Sequence, residues 1–357
     1  SINFSRIFKV TSNSSFLFFI YNKTDVYILS RGYHGYLAIE QFIKRDFGID
    51  VMSCLLNEKL THIKGLSERK FFVEAKKTGK SPILPDFSYA GYHFSEKEIP
   101  TVTGRKHYNV KDFGAVADDD TSDKDAIISA IAAANKTGGG IIYFPKGRFI
   151  IQDIYDDLNT IWVSTSNVVF KGSGSGKGGT ELFMKVPLQP KDTTKMWTTP
   201  PMFVFGSKSG EKPIGSITAD AQVGDFDIQL DQTTGLTKGD WVILTMRSKD
   251  ANAIKLDLGD YEVNPEWKAL YNGGLDLSVV HQISKIKDKT ITLSQPLAYP
   301  ISANLGWKVS KYNQIEEIGI EDIAFIGNWK KPFVHHRSWL DDSGYTMINM
   351  RRITNSW

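Results

Sequence analysis

The sequence concentrates reactive side-chain types in one segment, residues 334–345, which reads VHHRSWLDDSGY. Either imidazole can act as a base, and the guanidinium can bind a carboxylate or sulfate through two hydrogen bonds. The carboxylates can serve as acid/base groups or as cation ligands. The same side chains could instead tie a loop down by hydrogen bonds and ion pairs. The candidate catalytic residues are His335, His336, Arg337, Asp341 and Asp342.

Aromatic side chains of this segment, and aromatic and acidic side chains of a second segment, could bind a sugar. Trp339 and Tyr345 offer flat rings with a polar edge, which suit stacking on a pyranose. A second group lies in the excursion 247–277, which could form the wall of a substrate groove or be a solvated loop. The candidate substrate-binding residues are Trp339, Tyr345, Trp267, Glu262 and Glu266.

Two other motifs are better explained by structure than by ligand binding. The glycine-rich run 172–180 does not satisfy the phosphate-loop pattern, because Lys177 is followed by Gly178, and no βαβ unit follows it. It predicts a tight turn. The acidic triplet Asp118-Asp119-Asp120 lacks the spaced ligands and the glycine of an EF-hand loop, which argues against a Ca²⁺ site there.

Composition limits the classes of function. The 357 residues carry 43 Lys and Arg against 40 Asp and Glu, a formal charge of +3, which gives no argument for nucleic acid. Cys54 is the single cysteine, so a disulfide within the chain and a cysteine-based zinc cluster are excluded. The longest apolar run near the start, residues 16–21, is too short to span a membrane, and no clear signal peptide is present.

The elements that would position the reactive segment begin near Tyr108. A short strand over residues 108–110 leads into the acidic turn, and Ser122 with Asp125 predicts a capping box at a helix start. A glycine triplet, residues 138–140, ends the helix, and two strands separated by a Pro-Lys-Gly turn follow. The helix carries a narrow stripe of small apolar residues: Ala126, Ile127, Ala130, Ile131 and Ala134.

This order of acidic turn, small-residue helix, glycine triplet and paired strands resembles the opening of the pectate-lyase-like superfamily. The resemblance implies an all-β fold, a right-handed parallel β-helix whose N-terminal helix caps the first coil. A solenoid needs such a cap because its first coil otherwise exposes unpaired backbone and core. Residues 67–357 also resemble a Bacteroidetes β-helix subfamily of unknown function that is linked to polysaccharide degradation.

The predicted organisation has five parts. Residues 1–65 have no assigned role, 66–104 form a helix plus an extended strap, and 105–213 form the first coils. Residues 214–302 alternate in short strands and predict an inserted antiparallel β-module. Residues 303–357 resume the β-helix near Trp307. Because β-helices of this family generally run on for more coils, the sequence predicts that C-terminal coils are missing.

The resemblance implies work on a polysaccharide, outside the cytoplasm of a bacterium: secreted, periplasmic or on the cell surface. A lyase would remove the proton next to a uronate carboxylate, with Ca²⁺ possible as its counter-ion; a hydrolase would use two carboxylates. No other cofactor is required. The alternatives are a non-catalytic, tailspike-like protein for glycan binding or adhesion, and an inactive fragment.

Overall fold

A computed structural model describes the backbone of residues 6–10, 16–21 and 25–29, and residues 89–357 except 251–252, 255–263, 265 and the Tyr271 side chain. Two units divide the chain, residues 1–100 and 101–357. In the first unit β1 (Arg6–Val10), β2 (Phe16–Tyr21) and β3 (Asp25–Leu29) form an antiparallel sheet in that order, and a 3₁₀ helix covers Tyr92–Ser95. The predicted helix near residues 66–76 lies outside the described residues.

Three stacked coils of parallel strands form the main body of the second unit, which confirms the parallel β-helix. The first sheet contains β4 (His107–Asn109), β5 (Gly140–Tyr143), β8 (Val168–Lys171) and β18 (Gly319–Glu321). The second contains β6 (Gly147–Gln152), β9 (Thr180–Met184) and β19 (Ile323–Gly327). The third contains β7 (Ile161–Val163), β10 (Phe203–Gly206) and β20 (Ile348–Arg351). At a fourth position β17 (Ile315–Glu316) pairs with β21 (Ile353–Thr354).

Phenylalanine rings connect successive coils in the core. Phe170 is fully buried, and its ring centroid lies 5.4 Å from that of Phe144 on the preceding coil. It also lies 5.0 Å from Phe205 on the third sheet. Aromatic pairs at this spacing add stabilisation beyond the burial of their area. The inward positions of the strands therefore supply one continuous apolar core.

The helix α1 (Lys124–Lys136) lies between β4 and β5 at the start of the coil stack. All five residues of its predicted apolar stripe are buried. The prediction for its start was wrong in one respect: Asp123, and not Ser122, is the N-cap residue. The Asp123 carboxylate accepts hydrogen bonds from the amides of Val116 (2.7 Å) and Ile150 (2.8 Å), so it joins the helix start to the coil. Burial raises the pKa of Asp123 to about 6, and these two amides limit the rise.

The two motifs assigned to turns have structural contacts that explain them. Asp118 of the acidic triplet accepts a hydrogen bond from the Arg148 amide at 2.9 Å. In the glycine-rich run, a Cβ on Gly172 would collide with the backbone oxygen of Asp322 on the next coil. Glycine is required there because two backbones approach each other closely.

The inserted module is a six-stranded antiparallel sheet. Its strands are β11 (Lys212–Ser216), β12 (Asp227–Gln229), β13 (Trp241–Ser248), β14 (Leu275–Lys287), β15 (Thr290–Leu293) and β16 (Lys308–Lys311). The order is β11-β16-β13-β14-β15-β12, and a bridge between Ile217 and Leu230 joins the two end strands, so the sheet closes on itself. The prediction that the β-helix resumes near Trp307 was wrong, since β16 pairs antiparallel with β11 and β13. The first parallel strand after the module is β17.

Short helices complete the described part of the second unit. The module carries α2 (Lys268–Gly273), and the last coil carries α3 (Trp339–Ser343). Three 3₁₀ helices cover Val110–Phe113, Met196–Thr198 and Ala303–Leu305. Among the described residues, no helix combines the length and apolar character needed to cross a bilayer.

Candidate functional site

The predicted catalytic residues all lie in the connection between β19 and β20, on the third coil. The connection leaves the coil at Asn328, whose side-chain amide donates to the carbonyl of Lys185 at 3.1 Å. It returns through α3, which packs on the 3₁₀ helix Met196–Thr198 of the coil below; the Ser343 hydroxyl donates to the Met196 carbonyl at 2.7 Å. The segment 332–345 is therefore supported from both ends by the preceding coil.

Arg337 and Asp341 form a two-point ion pair. The Arg337 Nε and Nη2 atoms lie 3.1 Å and 2.5 Å from the two Asp341 carboxylate oxygens. The Ser338 hydroxyl, which also caps α3, donates to Asp341 at 2.6 Å, and the amide of Val334 donates at 3.2 Å. Hydrogen bonds from Arg337 and then Ser338 lower the pKa of Asp341 to about 2. Both side chains therefore take part in hydrogen bonds within the loop, and a catalytic role for them stays a prediction.

His335, His336 and Asp342 form a second group. His335 Nδ1 lies 3.5 Å and His336 Nε2 lies 3.7 Å from the Asp342 carboxylate. The imidazole rings stack with their centroids 3.8 Å apart, and both are about 70% exposed, whereas Asp342 is 17% exposed. The amide of His336 donates to Asp342 Oδ1 at 2.8 Å, which orients the carboxylate.

These three side chains are also those that could hold a metal ion. One ligand atom from each lies within 4.8 Å of the others. Two imidazole nitrogens and one carboxylate oxygen suit a transition metal, whereas Ca²⁺ and Mg²⁺ prefer ligand sets made of oxygen.

The described ones among the predicted sugar-binding residues lie on two different elements, the β19–β20 connection and the inserted module. The Tyr345 hydroxyl donates to the Asn328 carbonyl at 3.2 Å, its ring meets Trp329 edge to face, and burial raises the pKa of Tyr345. Trp339 is half-buried as the first residue of α3. Trp267 and Glu266 are exposed on the inserted module, beside α2, and Glu262 lies outside the described residues. Substrate binding by these five residues stays a prediction.

The structure also places exposed aromatic residues that the sequence analysis did not select. Tyr155, Trp197 and Phe333 are 92%, 75% and 61% exposed, and they follow β6, β9 and β19 respectively. They therefore lie on equivalent connections of three successive coils. Sequence alone gives no signal for this, because an aromatic in a long connection is usually packed against the core.

A polar cleft of about 340 Å³ lies between the inserted module and the segments that enter and leave it. Its lining includes Lys212, Asp240, Lys311 and Tyr312. Lys311 and Asp240 form an ion pair across it at 2.9 Å. This cleft could not be predicted from the sequence because its walls come from strands that are far apart in the chain.

A known protein family matches part of the chain. The family described as "Rhamnogalacturonase A/epimerase, pectate lyase-like" matches residues 107–255. This range begins at β4, includes α1 and the first two coils, and ends inside the inserted module.

Curated relatives match over a short stretch. Alginate lyase 7 of Azotobacter vinelandii is 44% identical over 70 residues, which is 20% of this chain and 8% of that protein. Mannuronan C5-epimerase AlgE6 of the same organism is 39% identical over 70 residues, again 20% of this chain and 8% of that protein. The chain thus spans less than a tenth of the length of either relative.

Solved structures show a weak overall likeness. The tailspike gp61 of Pseudomonas phage phi297 is 13% identical, with a TM-score of 0.42 over 70% of this chain and 38% of that chain. The A-module of mannuronan C-5 epimerase AlgE4 of Azotobacter vinelandii is 28% identical, with a TM-score of 0.22 over 28% of this chain and 24% of that chain. Residues 107–255 thus resemble the pectate-lyase-like family, and the parallel coils show a β-helix fold.

Proposed function

We propose that this chain acts on a polysaccharide as a lyase, with His335, His336 and Asp342 as its reactive group. The observation that carries the proposal is the pair of exposed imidazoles held against one carboxylate, on a coil of a pectate-lyase-like β-helix. The names of the relatives, an alginate lyase and mannuronan epimerases, support a uronate polymer as the first substrate to test.

The chemistry needs a base that removes the proton next to the uronate carboxylate. A carbon–carbon double bond then forms as the bond from the neighbouring carbon to the glycosidic oxygen breaks, and that oxygen takes up a proton from the imidazolium or from water. A neutral imidazole can accept the proton that is removed, and the Asp342 carboxylate, 3.5 Å and 3.7 Å from the two rings, stabilises the imidazolium that forms. Because both rings are exposed, a polymer chain can reach them without opening the fold.

Hydrolysis receives less support from this loop. A hydrolase needs two carboxylates, one of which is protonated to assist the leaving oxygen. Asp341 has both oxygens occupied by Arg337 and Ser338, and Asp342 accepts a hydrogen bond from the His336 amide. Both carboxylates of the loop are therefore already engaged by hydrogen bonds from the loop itself.

Binding without cleavage is the second candidate, and the exposed rings of Tyr155, Trp197 and Phe333 favour it. Rings on successive coils can stack on successive sugars of one chain, as aromatic side chains do at sugar-binding surfaces. In either case the partner is a polysaccharide, and we propose a location outside the cytoplasm of a bacterium.

The test is incubation with alginate, pectate and a neutral polysaccharide. Ultraviolet absorbance reports the unsaturated product of a lyase, and reducing ends that form without that absorbance report a hydrolase. We expect alginate or pectate to give absorbance that His335→Gln and His336→Gln reduce and His107→Gln, an exposed histidine of β4, does not. Absorbance that is the same in all three variants would refute the role of the loop. Retention on a polysaccharide column without any product would support the binding function.

A further inference from the structure

We propose that His335, His336 and Asp342 form a binding site for one divalent transition metal ion of the Zn²⁺ type. The site uses the same loop as the proposed function, but it does not depend on that function, because metal binding is measured without any saccharide. Contacts within the loop hold these three side chains close to one another.

The distances between the ligand atoms are close to those of a metal site. Two ligands at about 2.0–2.1 Å from a tetrahedral ion lie about 3.3 Å apart. His335 Nδ1 and His336 Nε2 lie 3.5 Å and 3.7 Å from the Asp342 oxygens, and the three ligand atoms all lie within 4.8 Å of one another. Closure onto an ion therefore needs the ligand atoms to approach one another by up to about 1.5 Å, together with a rotation of the two stacked rings.

The backbone of the loop explains why two neighbouring histidines face the same carboxylate. His336 has φ of +58°, a left-handed conformation that is uncommon outside glycine. Its amide donates to Asp342 at 2.8 Å, and this bond holds the turn in place. Such a conformation persists only where the surroundings fix it, and here the ion pair between Arg337 and Asp341 does so.

The carboxylate is the preorganised ligand and the imidazoles are the adjustable ones. Asp342 is 17% exposed and fixed by the His336 amide, in the way that hydrogen bonds orient metal-ligating carboxylates. The two rings stack 3.8 Å apart and would have to swing apart from this stack to point their nitrogens at one ion. Their exposure of 70% and 68% leaves them room to do so.

The ligand set selects the class of metal. Two nitrogens and one carboxylate oxygen are typical of Zn²⁺, Co²⁺ and Fe²⁺, and three protein ligands leave positions for water or substrate. An ion bound here would neutralise a uronate carboxylate, and its bound water would replace the imidazoles as the base. Metal binding would thus change which group of the loop carries out the proposed proton removal.

The experiment is a calorimetric titration of the full, chelator-treated chain with Zn²⁺, repeated with Co²⁺ so that its visible spectrum reports nitrogen ligation. Variants His335→Gln, His336→Gln and Asp342→Asn each remove one ligand, and His107→Gln is the matched control. We expect one equivalent of Zn²⁺ whose Kd rises at least about tenfold in each of the three variants and is unchanged in the control.

Several results would overturn the proposal: no binding by the native chain, or a Kd and Co²⁺ spectrum that are the same in His335→Gln as in the native chain. His335 is exposed and makes no described core contact, so its variant cannot fail merely by unfolding. Zn²⁺ binding without any cleavage of polysaccharide would leave the metal site intact and refute the lyase. Cleavage of polysaccharide by a chain that binds no Zn²⁺ would refute the metal site and leave the proposed lyase function intact.

Discussion

Replacement of His281 by leucine should remove a pH-dependent loss of stability from the inserted module. His281 lies on β14, opposite Val242 of β13, and its side chain is only 2% exposed. Neither ring nitrogen has a hydrogen-bond partner among the described residues, although the backbone of Gln295 lies near the ring. Burial lowers the pKa of His281 from 6.5 to about 4, so the ring is neutral in the folded chain at pH 5.

The sign and size of the effect follow from proton linkage. The unfolded chain binds a proton at His281 below pH 6.5 and the folded chain does so only below about pH 4, so acidification through this window favours unfolding. Between pH 7.5 and pH 5 this single group should lower the free energy of unfolding by about 2 kcal/mol. His281→Leu should remain as stable as the native chain at pH 7.5, because it replaces two unpaired buried nitrogens with apolar atoms.

The contribution of Asp123 to the free energy of unfolding has the opposite pH dependence. In the native chain it offsets part of the stability that His281 loses on acidification. Its pKa is raised from 3.8 to about 6, so its contribution to stability is present below pH 3.8 and is lost as pH rises through 6. Going from pH 7.5 to pH 5 it returns about 1 kcal/mol. The informative quantity is therefore the difference between native chain and variant at each pH, in which Asp123 cancels.

The assay is urea unfolding followed by tryptophan fluorescence, since Trp241 and Trp307 are buried in the module. His107→Gln is the matched control, because His107 is exposed. The advantage of His281→Leu over the native chain should grow by about 2 kcal/mol from pH 7.5 to pH 5, with no such growth for the control. An advantage of equal size at both pH values would show that His281 is not held neutral by burial.

Three further predictions concern the coils and the loop. Phe170→Ala should lower the free energy of unfolding by about 3–5 kcal/mol in a denaturant titration, because a fully buried ring between two coils is lost. Gly172→Ala should lower it by about 1–3 kcal/mol, since its Cβ would meet a carbonyl of the next coil, while Gly176→Ala, where that space is open, should leave it unchanged. Arg337→Lys keeps the charge but loses the paired bonds to Asp341, so limited proteolysis should cut residues 332–345 faster; an unchanged rate would contradict the role of the ion pair.

The parallel β-helix could be predicted from sequence because its opening is specified by local signals. The stripe from Ala126 to Ala134 has helical spacing, and the glycines at 138–140 permit the positive φ values of +80°, +123° and +149° at the helix end. The helix start was less predictable. Ser122 has the residue type of a cap, but the helix begins one residue later, at an Asp123 whose carboxylate binds the amides of Val116 and Ile150 and makes no capping hydrogen bond to the helix.

The strand at Lys308–Lys311 shows where local pattern fails. Its alternation is the same whether its neighbours are parallel coils or the antiparallel strands of the module, so the residues do not reveal their partner. The choice depends on β13, whose residues Val242 to Thr245 pair with this strand from more than sixty positions away. Contacts at such separation are not encoded in any window of the sequence.

The candidate site was predictable as a cluster but not as an arrangement. Five reactive residues within eight positions had to lie near one another, yet their sequence order does not say which acid meets which base. The short helix α3 decides this: it turns Asp341 towards Arg337 and Asp342 towards the two imidazoles. Adjacent carboxylates thereby receive different contacts: Asp341 is paired with Arg337, and Asp342 lies against the two histidines.

This division explains why the loop can be both exposed and well defined. In the ion pair of Arg337 with Asp341, the Asp341 side chain is only 2% exposed. The helix α3 packs on the 3₁₀ helix of the coil below. Because that support comes from the stacked coils, the imidazoles need no packing of their own and remain accessible to a ligand. Trp197 follows β9 in the same 3₁₀ helix, so the coil below contributes an exposed ring beside α3. A polymer that contacted both Trp197 and the imidazoles would therefore touch two coils at once, which a loop on a single turn could not provide.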